Sequence, residues 1–209
     1  MNTQTDGRDT RWAEHRRERR IELVESTLRA IRRQGATVSL DDIAAEAGTS
    51  KPVIYRHFGD RPGLYRAVVE KTAQFILDDL HASVSWTGDD LPGLVRDLAS
   101  GYLALVQRDP EIYRFVMSRP LVDGDLTDDP VTGLTMRIGE RMADILRSRD
   151  YDADLADTWG HALVGAVRAA TDQWIRSGMH RPADDVAGDL AALVGPAFNL
   201  VTTINEEHR

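Results

Sequence analysis

The chain has 209 residues, 42% of them hydrophobic and 29% charged, with a net charge of −8 and no cysteine. That composition fits a soluble globular protein of one large or two small domains. The lack of cysteine excludes a disulfide framework, a cysteine nucleophile and thiolate metal sites, and it fits a cytoplasmic location. The acidic balance is uneven. Residues 1–71 hold 14 Lys and Arg against 11 Asp and Glu, a net of +3, whereas the remainder holds 12 against 23, a net of −11. A mildly basic first third on an acidic body suits a head that meets DNA and a body that repels it. No secretory signal or membrane span is expected, because residues 1–20 lack an apolar run and the stretch from Leu190 to Val201 is interrupted by Gly195 and Pro196.

In chain order, residues 1–12 have no period, and a flexible arm is expected over 1–15. The run Arg16, Arg17, Arg19, Arg20 then opens the first helix. Two readings are open for it: an arm or helix end that touches phosphates, or a solvated face paired with Glu14, Glu18 and Glu22. Ile21, Val24, Leu28 and Ile31 line one side of this helix, which ends at Gly35.

The segment Ser39 to Arg61 reads as helix, tight turn, helix. Ser39 and Asp42 have the spacing of a capping box. Leu40, Ile43, Ala44 and Ala47 fall at i, i+3, i+4 and i+7, one face of a helix. Gly48 follows where a left-handed residue is wanted. Thr49 or Ser50 can restart the chain as an N-cap, and Pro52 sits in the first turn where its missing N–H costs little. Burial of Ile54 and Phe58 leaves Lys51, Val53, Tyr55, Arg56 and His57 on the remaining faces. Asp60 caps the next helix.

The run DDIAAEAGTSKPVIYRHFGDRPGL resembles the helix-turn-helix signature of TetR-type transcriptional regulators, over roughly residues 18–70. Thr49 stands where the family more often has Val, and Arg61 where it usually has Lys. The resemblance implies a double-stranded operator DNA partner, met by Ser39, Ser50, Lys51, Pro52, Val53, Tyr55, Arg56, His57 and Arg61. It also implies a homodimer formed by the last two helices, a palindromic operator and release of DNA when a ligand binds the body. Repression is the family's commoner mode, and activation occurs.

The fourth helix continues through Phe75, Ile76 and Leu80 and so belongs to both head and body. Ser83 to Asp90 reads as a linker. Leu91 to Val106 is helical. A short helix follows Asp109-Pro110, apolar nearly all round, and Arg119 to Asp129 reads as a loop. Pro130 to Arg149 gives a further helix. Asp154 to Arg176 carries Leu163, Ala166, Ala170 and Trp174, with Gly160 and Gly165 permitting close helix approach. The last helix carries Leu190, Leu193, Ala197 and Val201, with Pro196 expected to kink or break it near Ala192. These two stripes are the expected dimer seam. No strand pattern occurs, so the expected fold is all-α: a three-helix head over 16–62 and about six helices over 63–209.

Catalytic and metal signatures are missing. The six histidines are scattered, no H-E-x-x-H or G-x-S-x-G occurs, and paired acids such as Asp184-Asp185 lie at helix ends, where capping explains them. No cofactor is expected. Large or polar groups on apolar helices, Phe75, Tyr102, Tyr113, Phe115, Met117, Met136, Trp159, His161 and Arg168, form a candidate effector pocket. Taken singly, each is explained as well by core packing. His161 and Arg168 share a helix face seven residues apart, yet they also fit a buried, hydrogen-bonded His and a surface Arg. The rivals are a helical ligand-binding or enzymatic body whose head has lost DNA affinity, and an architectural DNA binder, which the acidic body disfavours.

Overall fold

In the computed structural model, residues 7–83, 90–119 and 129–207 are described, with side chains given for 11–76, 90–119 and 129–198. Residues 84–89 of the linker expected from Ser83 to Asp90, residues 120–128 of the loop expected from Arg119 to Asp129, the first six residues and the side chains of Leu80 and Val201 lie outside the described residues. Among the described residues all regular structure is helical: α1 Gly7–Gln34, α2 Leu40–Glu46, α3 Lys51–Phe58, α4 Arg61–Ser83, α5 Leu91–Arg108, α6 Pro110–Ser118, α7 Pro130–Arg147, α8 Ala153–Arg176 and α9 Ala183–Glu207. No helix among them is long and apolar enough to cross a membrane.

Two compact units form. The first comprises residues 1–72 and 111–127, the second residues 73–110 and 128–209. α4 is one continuous helix that contributes to both.

In the first unit, Leu23, Leu28, Ile31, Ile43, Ile54, Leu64 and Val68 form a core in which each of α1 to α4 contributes its apolar stripe. α1 begins at Gly7, inside the stretch expected to be an arm; Ala, Glu and Arg are good helix formers, and they dominate residues 13–20. α6 lies in the stretch expected as body, and its contacts group it with this first unit. Its residues are held there by specific bonds. The buried Tyr65 hydroxyl donates to the Val116 carbonyl at 2.6 Å, its ring lies 6.1 Å from that of Phe115, and Glu111 Oε2 accepts from the Ala36 N–H at 3.0 Å. Sequence periodicity cannot report bonds that span 51 or 75 residues.

In the second unit, α7 packs on α8 and α5 on α9. The α7–α8 contact is backbone-close: a Cβ on Gly160 would lie 2.5 Å from the Gly139 carbonyl oxygen and 2.6 Å from the Ala143 nitrogen. Gly160 therefore does what was expected of it, whereas a Cβ on Gly165 would meet nothing within 4 Å in the chain. Leu91, Leu94, Val95, Met142, Leu146, Tyr151, Leu163 and Phe198 form the core, with Trp159 against it. The Trp159 and Phe198 rings meet edge-on at 5.1 Å. α9 continues through Pro196, so of the kink or break expected near Ala192 the break does not occur.

Candidate nucleic-acid interface

Local chemistry sets the two helices of the motif. The Ser39 hydroxyl accepts from the Asp42 N–H and the Asp42 carboxylate accepts from the Ser39 N–H, both at 3.2 Å, so the capping box is closed. α2 stops at Ala47, Gly48 takes φ +58°, and the Thr49 N–H turns back to the Ala44 carbonyl at 2.9 Å. Ser50 is the N-cap of α3, with Val53 and Ile54 N–H groups bound to its carbonyl. Its hydroxyl makes no capping bond, which leaves an O–H at a positively polarised helix end.

α3 has two contrasting sides. Ile54 and Phe58 are buried against the core, Pro52, Tyr55 and Arg56 are exposed, and Lys51, Val53 and His57 are half-buried. At its end Gly59 takes φ +83° and Asp60 caps α4 through the Gly63 N–H at 2.6 Å. A Cβ on Gly63 would sit 2.0 Å from the Phe58 carbonyl oxygen, so the approach of α3 to α4 needs glycine. Arg61 follows, exposed, in the first turn of α4.

Two contacts to this surface carry no signal in local spacing. Lys51 Nζ lies 2.7 Å from Asp41 Oδ2 on α2. Arg20 of α1 donates to the His57 carbonyl at 2.7 Å, and its guanidinium sits 4.5 Å from the centre of the Phe58 ring. Arg20 thus satisfies a carbonyl in the last turn of α3 and stacks on the same turn. It was visible only as one arginine in a run. Arg29 and Arg33 of α1 hold Glu46 of α2 at 3.4 and 2.7 Å. Partial burial, then the charges of Arg56, Arg19 and Arg20, push the His57 pKa below its ordinary value.

The assembled surface is cationic and hydroxyl-bearing, with a helix N-terminus at Ser50 and Lys51. This chemistry binds phosphate oxygens. Of the nine residues expected to meet DNA, Ser39 already has its hydroxyl in a capping box and Lys51 already has an acidic partner; Pro52, Tyr55, Arg56 and Arg61 are exposed.

The other expected sites are distributed as follows. Tyr113 and Met117 are in the first unit; Phe75, Tyr102, Met136, Trp159, His161 and Arg168 are in the second. Trp159 is spent on the aromatic core, the His161 ring packs where a Cβ on Gly139 would be, 2.1 Å from Nδ1, and Arg168 is exposed. Phe75 is 40% and Met136 48% exposed. Of the residues of the expected dimer seam, Leu163, Trp174 and Leu190 are buried within the chain's own fold, and Trp174 Nε1 donates to the Arg181 carbonyl at 2.9 Å. Ala166 and Ala170 are half-buried, Ala197 is exposed, and Leu193 is 70% exposed.

Comparison with known proteins accounts for both halves of the chain. Residues 23–68 match the family described as bacterial regulatory proteins, tetR family, and residues 89–202 match the tetracyclin repressor-like C-terminal domain. An uncharacterised HTH-type transcriptional regulator of Mycobacterium tuberculosis is 38% identical over 181 residues, covering 84% of this chain and 75% of its own. The HTH-type transcriptional activator FasR of Mycolicibacterium smegmatis is 28% identical over 148 residues, covering 69% of this chain and 65% of its own. Among solved structures, the transcriptional regulator FadR of Bacillus subtilis, in complex with stearoyl-CoA, superposes with a TM-score of 0.63 at 14% identity, covering 83% of this chain and 96% of its own. The capped helix-turn-helix, the all-helical remainder and these matches together place the chain in the TetR family of helix-turn-helix transcriptional regulators.

Proposed function

We propose that this regulator binds a palindromic operator as a homodimer and represses until a small apolar or amphipathic effector releases it. The observation that carries the reading is the two-sided character of α3. One side is anchored by Ile54 and Phe58, and the other presents Tyr55 and Arg56 with Lys51 at the start of the helix. A helix so held can enter a major groove while its first turn meets phosphate.

The dimer is supported by what α8 and α9 leave uncovered. Ala162, Gly165 and Ala169 on α8 and Leu193, Pro196 and Ala197 on α9 are exposed. An exposed leucine and several exposed small apolar groups along these two helices are available for another surface to cover. A two-fold contact would set this patch against its own copy. The effector class is supported by the apolar composition of the body helices, and a protein of this fold has been solved with a long-chain acyl-CoA. α4, continuous from Arg61 to Ser83, is the covalent route by which the two units would be coupled.

The test is selection of duplex DNA from a random library by the full chain. The enriched sequences should converge on an inverted repeat with half-sites about 34–36 Å apart, one helical turn. Lack of enrichment over the starting library would sink the DNA reading and leave the rival of a head without DNA affinity. Effector gating has a separate test: affinity for a long-chain acyl-CoA, measured with and without the selected duplex. Linkage requires the two values to differ, and equal values would remove gating by this ligand class while sparing the DNA reading.

Activation is the second reading, favoured by the activator FasR among the relatives. A reporter behind the selected sequence decides between them. Deleting the protein raises expression under repression and lowers it under activation.

A further inference from the structure

α1 is 28 residues long, and its first turns precede the segment that matches the family. Every residue from Arg11 to Glu18 is exposed, so this part of the helix buries nothing in its own unit. The sequence over 7–20 nevertheless holds six arginines, Arg8, Arg11, Arg16, Arg17, Arg19 and Arg20, against three acids. Exposed helix with no core to cover and a concentrated charge of one sign calls for a partner of the opposite sign.

The structure divides these arginines by role. Arg19 pairs with Glu22 at 2.8 Å and Arg20 is bound to the last turn of α3. Among the described residues the side chains of Arg16 and Arg17 make neither an ion pair nor a hydrogen bond. They stand at i−4 and i−3 from Arg20, on the same side of α1, one turn further out. Arg20 therefore fixes which way they point: along the side of α1 that touches the end of the recognition helix. Trp12, 66% exposed, stands one turn beyond Arg16 on the same stripe. From Arg20 to Trp12 the helix rises about 12 Å at 1.5 Å per residue, comparable to the width of about 12 Å of a major groove. A helix held at the end of α3 and extending that far can reach the phosphates flanking the groove that α3 occupies.

We infer that the first turns of α1 form a second DNA-backbone surface, in which Arg16 and Arg17 hold phosphates beside the last turn of the recognition helix. This rests on the DNA-binding reading above and extends it to residues that the helix-turn-helix does not contain. The contacts are to phosphate and carry no base preference, so they add affinity for any duplex. Burial, then the charges of Arg56, Arg19 and Arg20, lower the His57 pKa at this end of α3, in keeping with a positive potential at the junction between α1 and α3.

The experiment is the salt dependence of binding by the full chain to a fluorescein-labelled mixed-sequence duplex, read by anisotropy. Each phosphate contact contributes about 0.9 to the slope of log affinity against log salt. Arg16→Ala with Arg17→Ala should therefore flatten the slope by about one unit for each phosphate no longer held, or about threefold less sensitivity to a fourfold rise in salt for each. Glu14→Gln with Glu18→Gln should bind several-fold more tightly at low salt, a gain that misfolding cannot produce. Arg137→Ala with Arg141→Ala, two exposed arginines of α7, makes the same charge change elsewhere and should leave the slope alone. A wild-type slope in the Arg16/Arg17 variant overturns the α1 surface while the wild-type binding keeps the DNA reading. An equal change in the α7 variant overturns it too, by assigning the effect to net charge. Absence of salt-dependent binding by the wild-type chain overturns both readings.

Discussion

Lys51, the first residue of α3, is held at 2.7 Å by Asp41 of α2, and the two side chains are 42% and 77% exposed. An ion pair in that setting contributes little to stability, about 0–1 kcal/mol. In the proposed complex its larger effect falls on the DNA. A phosphate that takes Lys51 must compete with the Asp41 carboxylate and then lie close to its negative charge. Asp41→Asn should leave the melting temperature nearly unchanged and raise affinity for duplex DNA, with the largest gain at low salt. Titrations at two salt concentrations check this; an unchanged or weaker affinity would mean that Lys51 does not meet phosphate.

His57 should make DNA affinity depend on pH. Burial, followed by Arg56, Arg19 and Arg20, lowers its pKa in the free protein. In the window between that lowered value and the ordinary value of about 6.5, the unfolded chain binds more protons than the folded one. Stability from this group is therefore fully present above the ordinary value and is lost as pH falls through the folded pKa. DNA acts in the opposite sense, because a phosphate beside the ring favours imidazolium. Affinity for DNA should rise as pH falls through the same window, and His57→Gln should remove that rise. A pH profile of binding that is the same in the variant and the wild type assigns the effect elsewhere.

Gly160 and Gly165 lie five residues apart on α8 and should respond oppositely to alanine within a single chain. At Gly160 the added methyl meets backbone atoms of α7 at 2.5 and 2.6 Å, which cannot rotate away. The helices must separate, at a cost of about 1–3 kcal/mol. At Gly165 the chain offers open space, and alanine should gain about 1 kcal/mol of helix propensity. Thermal unfolding of the two variants at low protein concentration tests the pair. If the exposed side of α8 joins the dimer seam, Gly165→Ala also weakens association, and its gain shrinks as concentration rises.

Leu193→Glu addresses the proposed dimer directly. The leucine is 70% exposed, so the substitution should leave the fold of the subunit intact. In a two-fold seam the glutamate would be buried near its own copy, and monomers should result. Affinity for an inverted repeat should then fall steeply, because two heads no longer bind as one unit, while affinity for a single half-site is retained. Sedimentation of the variant as a dimer would place the seam elsewhere.

The sequence by itself determined the features that depend on residues within one or two turns of each other. The capping box of Ser39 and Asp42, the left-handed Gly48 and the burial of Ile54 and Phe58 each follow from local geometry, and the helix-turn-helix was legible for that reason. Only the tertiary structure decided which element a residue faces. It placed α6 with the DNA-binding helices through Tyr65 and Val116, set Arg20 on the end of α3, and gave Lys51 an acidic partner. It also buried Leu163, Trp174 and Leu190 inside the chain's own fold while leaving Leu193 exposed. The apolar residues of α8 and α9 cover more than one face. A 3.6-residue period gives the direction of a side chain around its own axis, whereas the neighbour that covers it is set by how the other helices pack.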